Sequence, residues 1–253
     1  MTEILILVAA IVVLVTLERL PRVRRTALRV ARPGSGADVA LGLVSHVAIG
    51  FAGALVVQLA LESLGGAGWP RPLAQLPAAA AVAIAIVLVD LGNYVAHRIL
   101  HRFDVLWHLH AVHHSSPELD WLASYRAHPL EMLFRRFAAP ALLVLGGLPA
   151  HLAALVGAIY QVWIMFNHSN LGLDLRRLEW LLVTPRLHRA HHAPSTTQRN
   201  YGTLLTLWDR LFATAAPDPD PAEPTGVPGE VDTYPQSLGG LLAEPLRRIS
   251  RAA

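Results

Sequence analysis

Residues Pro77 to Val95 form an apolar run whose only charged residue is Asp90, and His97 follows just beyond its end. A run of this length reads as a helix that crosses a bilayer, where no water is available to bond the backbone. It fixes the frame for the other apolar stretches. Ile4 to Leu17 is a first candidate span, with an interfacial or re-entrant helix as the alternative because it is short. Val39 to Leu61 is long enough to cross back. Phe134 to Ile164 is broken by Gly146-Gly147-Leu148-Pro149, which divides it into a helical hairpin. The expected fold class is therefore an all-α integral membrane protein. About four or five apolar helices carry a helical cap.

Composition agrees with that frame. Of the 253 residues, 53% are hydrophobic and 15% are charged, against about 25% charged in soluble domains. The basic residues other than histidine are all arginine. The pI near 9.8 would suit a nucleic-acid binder, but the arginines cluster beside apolar runs. Arg19, Arg22, Arg24, Arg25, Arg29 and Arg32 follow the first run, whereas a signal peptide carries its positive charge ahead of it. This bias puts the N-terminus outside and the end of the Asp90 run inside, so nearly every histidine falls on the cytoplasmic face. No nucleic-acid partner is expected. The arginine, alanine and proline usage suggests a bacterial inner membrane. With no cysteine, any metal must be held by nitrogen or oxygen.

The histidines supply the chemistry. His97 and His101 are four residues apart, and H-x-x-H-H occurs twice, as His110-x-x-His113-His114 and His188-x-x-His191-His192. On a helix these positions share one face and direct three imidazoles toward one point. One ion takes four to six ligands, so eight such imidazoles imply two ions. Imidazole suits Zn, Cu, Fe and Ni. H-E-x-x-H is absent, so a zinc protease would lack its general base. Two ions in an all-nitrogen shell at a membrane face suit dioxygen chemistry on an apolar substrate. A ligating imidazole usually gives its other N–H to a carboxylate or carbonyl, and Asp90, Asp104, Glu118, Glu131 and Asp209 are available. Asp90 precedes His97 by seven residues on one helical face. Asn167 and Asn170 could bond ligands or cap a helix end. His108 points off the motif face, His151 lies in the hairpin turn, and His46 reads as a lone polar group packed between helices.

These residues, together with Asp90 to Arg98 (DLGNYVAHR), Trp107 to Ser115 (WHLHAVHHS), Arg126 to Glu131 (RAHPLE), Phe166 to Asn170, Asn200-Tyr201-Gly202 and Trp208 to Phe212, resemble the fatty acid hydroxylase superfamily, which includes the sterol desaturases. The resemblance covers roughly Asp90 to Thr214. It implies a membrane-bound di-iron oxygenase that uses O2 and electrons from a separate donor protein to hydroxylate or desaturate a lipid drawn from the bilayer. The cofactors implied are two iron ions, which zinc can replace in purified protein. The family places a further ligand between the second and third boxes. His168 matches it, His128 is the other candidate, and Gly172 stands where some relatives carry one more ligand. Asp90, Asn167, Asn170 and Asp209 would support the ligands. The expected organisation is a catalytic domain over residues 1–214, with its motif core at 90–214. A Pro-rich acidic linker and amphipathic tail follow over 215–253. A membrane zinc hydrolase is the alternative.

Overall fold

The computed structural model describes residues 2–27, 32–48, 70–216 and 223–252, with 52–53, 55–56, 59–60, 62–63 and 68. The side chain of His46 and part of the Val39 to Leu61 run fall outside them. Among the described residues the chain is helical, with no strand and two isolated bridges, Arg24 to Leu171 and Leu182 to Leu205. The helices are α1 (Thr2–Leu17), α2 (Ser35–Leu41), α3 (Ala78–Arg102), α4 (Asp104–His114), α5 (Pro129–Gly146), α6 (Ala150–His168), α7 (Pro185–His191), α8 (Leu207–Leu211) and α9 (Leu238–Ala252). Two of them, α3 and α6, are long and apolar enough to cross a membrane.

The Asp90 run forms α3, and Pro77 in extended conformation sets its entry. Ala81 and Ala85, both 0% exposed, keep one side of it slim. They join Leu73, Val89, Leu143, Leu148, Val156 and Tyr160 in the largest apolar cluster, where α3 meets α5 and α6. The hairpin turn depends on Gly147, whose φ of +67° falls where side chains are strained. A Cβ there would lie 2.6 Å from the Arg71 Cα. Helix α1 runs beside α6, with Leu14 against Met165. His151, at the start of α6, is exposed near Glu3, at the end of the bundle away from the other histidines.

Two buried polar anchors tie these helices to the segments above them. Glu18 Oε1 accepts from the Trp121 and Asn170 N–H groups, each at 2.9 Å. Burial pushes its carboxyl up to about 7 despite those donors. A carboxyl raised in this way stabilises the fold while protonated. That stability is complete below the unfolded value near 4.5 and is lost as pH rises through about 7, a loss of about 3 kcal/mol at most. Glu18→Gln keeps the acceptor and should flatten this part of the stability–pH curve. An unchanged slope in the variant would assign the pH dependence elsewhere.

The second anchor is Asp38, on α2 and 0% exposed. It accepts from Arg126 Nε at 2.6 Å and pairs with Arg32. Arg126 also donates to Ser115 Oγ and to Gln236 Oε1. Residues 223–236, expected as a linker, are packed: Thr225, Val227 and Tyr234 are buried, and Thr225 Oγ1 donates to the Ser116 carbonyl. Helix α9 lays Leu241 and Leu242 on α4 and α2, while Leu238 and Leu246 stay exposed.

Candidate metal centre

Helix α3 ends at Phe103, a single extended residue, and α4 starts immediately after it. This sharp corner folds His110 and His114 back onto His97 and His101. Helix α7 begins on Pro185, with the Thr184 hydroxyl as its N-cap. It brings in His188, His191 and His192. Helix α6 ends on His168.

The nine imidazoles separate into two groups. His97, His101, His110, His114 and His191 form one; His113, His168, His188 and His192 form the other. Within each group the ligand nitrogens all lie within 4.8 Å of one another, and every residue is buried. Each H-x-x-H-H box is thus shared, contrary to the expectation that its three imidazoles meet at one point. The first and last histidines serve one group and the middle one serves the other. The reason is the helical step of about 100°, which puts positions i+3 and i+4 on opposite sides of position i.

The outer ring nitrogens fix the tautomers. The Nδ1 atoms of His97, His113, His168 and His191 meet the carbonyls of Tyr201, Arg126, Ile164 and Arg199 at 2.9, 3.0, 2.8 and 2.6 Å. His110 Nδ1 meets Glu131 Oε1 at 2.8 Å. Carbonyls and carboxylates only accept, so each Nδ1 carries the hydrogen and each Nε2 presents a bare lone pair. Yet Nε2 faces Nε2 at 2.9 Å between His191 and His97, 3.1 Å between His97 and His110, and 3.2 Å between His168 and His113. No hydrogen can lie between these atoms. Lone pairs this close repel unless a cation sits among them. Both nitrogens of His101, and Nε2 of His114, have no other partner.

Burial disfavours the alternative, a protonated imidazole between each facing pair. Burial first, and then the charges of neighbouring residues, holds the imidazoles of His110, His113, His114, His188 and His192 well below the ordinary histidine value. Burial likewise pushes His191 down to about 3. Neutral imidazoles in sets of five and four fit two first-row transition-metal ions. Aromatic rings wall the five-histidine group: Trp107 lies 4.9 Å from the His101 ring and Tyr201 lies 5.2 Å from it.

Other expected residues sit elsewhere. His128 joins neither group. Its Nδ1 accepts from the Leu130 N–H and its Nε2 lies 3.3 Å from the Leu242 carbonyl. Asp90 touches no imidazole. It accepts from the Leu204 and Leu205 N–H groups at 3.0 and 2.9 Å, from Trp208 Nε1 at 2.8 Å, and from the Tyr160 hydroxyl. Asp209 holds the Tyr201 and Gly202 N–H groups at 2.9 and 2.7 Å, which positions the Tyr201 carbonyl under His97. Asn167 donates to the Thr203 carbonyl and Asn170 to the Thr26 carbonyl. The carboxylate that does meet a candidate ligand is Glu131, shared between His110 and Arg135 Nε at 2.9 Å. Its sequence signal was the string RAHPLE. The Arg199 carbonyl had no comparable signal.

The chain belongs to the fatty acid hydroxylase family, whose sequence model matches residues 82–214. It is 32% identical over 186 residues to an ornithine lipid hydroxylase of Rhizobium tropici, covering 72% of this chain and 54% of that protein. It is 35% identical over 140 residues to an alkylglycerol monooxygenase of Danio rerio, covering 54% of this chain and 31% of that protein. A methylsterol monooxygenase 1 of the same fish is 28% identical over 159 residues, covering 58% and 48%. The chain thus spans from about a third to about half the length of these relatives. No solved structure matches it.

Proposed function

We propose that the protein is a membrane-bound, O2-dependent oxidoreductase that hydroxylates or desaturates an unactivated C–H bond of a lipid, of fatty acyl, sterol-like or isoprenoid type. The observation that carries the metal part is the set of bare Nε2 atoms facing one another at 2.9 to 3.2 Å. The names of the three relatives support the lipid and the oxygenase chemistry. In this reading His97, His101, His110, His114 and His191 hold one iron, and His113, His168, His188 and His192 hold the other. The irons supply activation of dioxygen. In hydroxylation one oxygen atom enters the C–H bond and the other leaves as water, with two electrons and two protons delivered from a separate donor protein.

The chain's own residues hold and shield. Four main-chain carbonyls and Glu131 lock five imidazoles in the tautomer that presents Nε2 inward. Trp107 and Tyr201 keep water from the five-histidine group. Asp90 and Asp209 hold the 200–208 segment in place. The apolar runs give four or five membrane segments, with α3 and α6 spanning and the histidine cap on the cytoplasmic side of a bacterial inner membrane. Residues 1–214 are assigned to the catalytic domain, and residues within 223–252 pack against it.

The test is metal content and O2 uptake on protein purified from iron-replete cells, with reductant supplied. Two irons per chain and lipid-stimulated uptake are expected. No uptake after iron reconstitution, together with hydrolysis of a test ester, would replace this reading with a zinc hydrolase.

A further inference from the structure

We propose that residues 176–183 and 203–212 are sunk into the leaflet adjoining the histidine cluster, apolar side chains against acyl chains and arginines among anionic headgroups. This rests on the reading that α3 and α6 span the bilayer.

Depth comes first. A hydrocarbon core of about 30 Å takes about 20 helical residues, so α3 is submerged from Ala78 to the neighbourhood of His97. Asp90 is twelve residues into α3, about 18 Å along it. It is at Asp90 that the Leu204 and Leu205 N–H groups and the Trp208 indole are bound. Phe212 stacks on Tyr94 at 5.4 Å, still below His97. Helix α6 gives the same level independently. Trp163, thirteen residues after Ala150 and hence about 20 Å along its helix, donates to the Val183 carbonyl at 3.2 Å. Both segments therefore run beside the last third of the spanning helices rather than above them.

Irregular chain at that depth requires its backbone polar groups to be satisfied within the protein. Here they are. Val183 N–H donates to the Leu204 carbonyl and Thr206 N–H to the Leu181 carbonyl. Asp90 takes the Leu204 and Leu205 N–H groups, and Arg210 covers the Glu179 and Trp180 carbonyls.

The outward side chains fit the same setting. Leu178, Trp180, Leu181, Leu207, Leu211 and Phe212 are 40 to 65% exposed, an apolar density that water would penalise. Arg176, Arg186 and Arg210 outnumber Glu179 and Asp209 around a cavity of about 380 Å³ beside Trp180, and Arg177 is exposed next to it. Tryptophan and arginine together mark the boundary where acyl chains give way to headgroups, and the positive charge selects anionic ones.

The chain has no cysteine, so a spin label on one introduced cysteine reports one position. Labels on Leu181→Cys, Leu211→Cys, Ile84→Cys (on α3) and Ser250→Cys (on α9) are placed in phosphatidylcholine vesicles with and without phosphatidylglycerol. Labels at 181 and 211 should collide with O2 severalfold more than with a water-soluble nickel chelate, as at 84 and opposite to 250. Omitting phosphatidylglycerol, or combining Arg176→Gln with Arg177→Gln in its presence, should raise nickel access at 181. Nickel access at 181 and 211 equal to that at 250, with 84 still in lipid, would overturn the proposal alone. An aqueous label at 84 would overturn the spanning reading beneath it. Broadening between labels that disappears on dilution with unlabelled protein would assign the face to a second copy of the chain. Nickel access indifferent to phosphatidylglycerol would refute the role of the arginines. None of these readouts depends on metal or turnover.

Discussion

Replacing His113 by alanine should reduce bound iron from two per chain to about one and abolish lipid-dependent O2 uptake. His113 is one of only four nitrogens in its group, and three imidazoles without it leave that ion undersupplied. Loss of an outer partner alone typically costs 10- to 100-fold, so loss of a ligand should cost at least about 100-fold in turnover. His191→Ala should do the same to the five-histidine group. A second readout separates this from misfolding. An ion bound only by the folded chain stabilises it by mass action, so on the two-iron reading each variant should lose part of the iron-dependent rise in Tm. His128→Ala and His108→Ala are the controls, because His128 bonds only backbone groups near Leu130 and Leu242 and His108 lies outside both histidine groups. Two irons and normal turnover in His113→Ala would sink the ligand assignment.

The parts legible in the sequence were those set by local helical geometry. Spacing of three and four residues identifies imidazoles that share a helix face, and an apolar run shows which helix can be submerged. What spacing could not give is the partition. His113 and His114 are neighbours in sequence but belong to different groups, because one helical step turns them about 100° apart. Outer partners were harder still. Asp90 shares a face with His97, but seven residues of helix separate them by about 10 Å, beyond the reach of a carboxylate. The imidazoles turn instead to main-chain carbonyls, which every residue carries and no sequence marks. Asn200 is where the backbone turns to make that arrangement. Its φ of 56° is tolerated by asparagine better than by most side chains, and the strands of backbone on either side supply the Arg199 and Tyr201 carbonyls. Residues 223–236 show the opposite failure. Their composition suggested a linker, yet Gln236 reaches the Arg126 guanidinium at 2.7 Å, a contact more than a hundred residues away in sequence.

That buried guanidinium carries the other large effect. Asp38→Ala should destabilise the fold by about 3–5 kcal/mol, the usual cost of breaking a buried ion pair from one side. Asp38 and Arg126 are both 0% exposed, so water cannot take over the lost partner. Arg32 keeps Asp120 at 2.9 Å, and Arg126 keeps only the neutral Ser115 and Gln236 side chains. No larger residue can fill in from Gly34, where a Cβ would lie 2.3 Å from the Arg126 guanidinium. The damage should extend to the metal centre, because the Arg126 carbonyl is what orients His113. Thermal unfolding in detergent should show a large fall in Tm, with weakened iron retention in the four-histidine group. Removing both charges tests the cause. Asp38→Leu combined with Arg126→Leu leaves no buried unpaired charge from this pair and should be less destabilised than Asp38→Ala. A double variant that is worse than the single, or an Asp38→Ala protein that melts with the wild type, would show that the pair is not what anchors this corner of the fold.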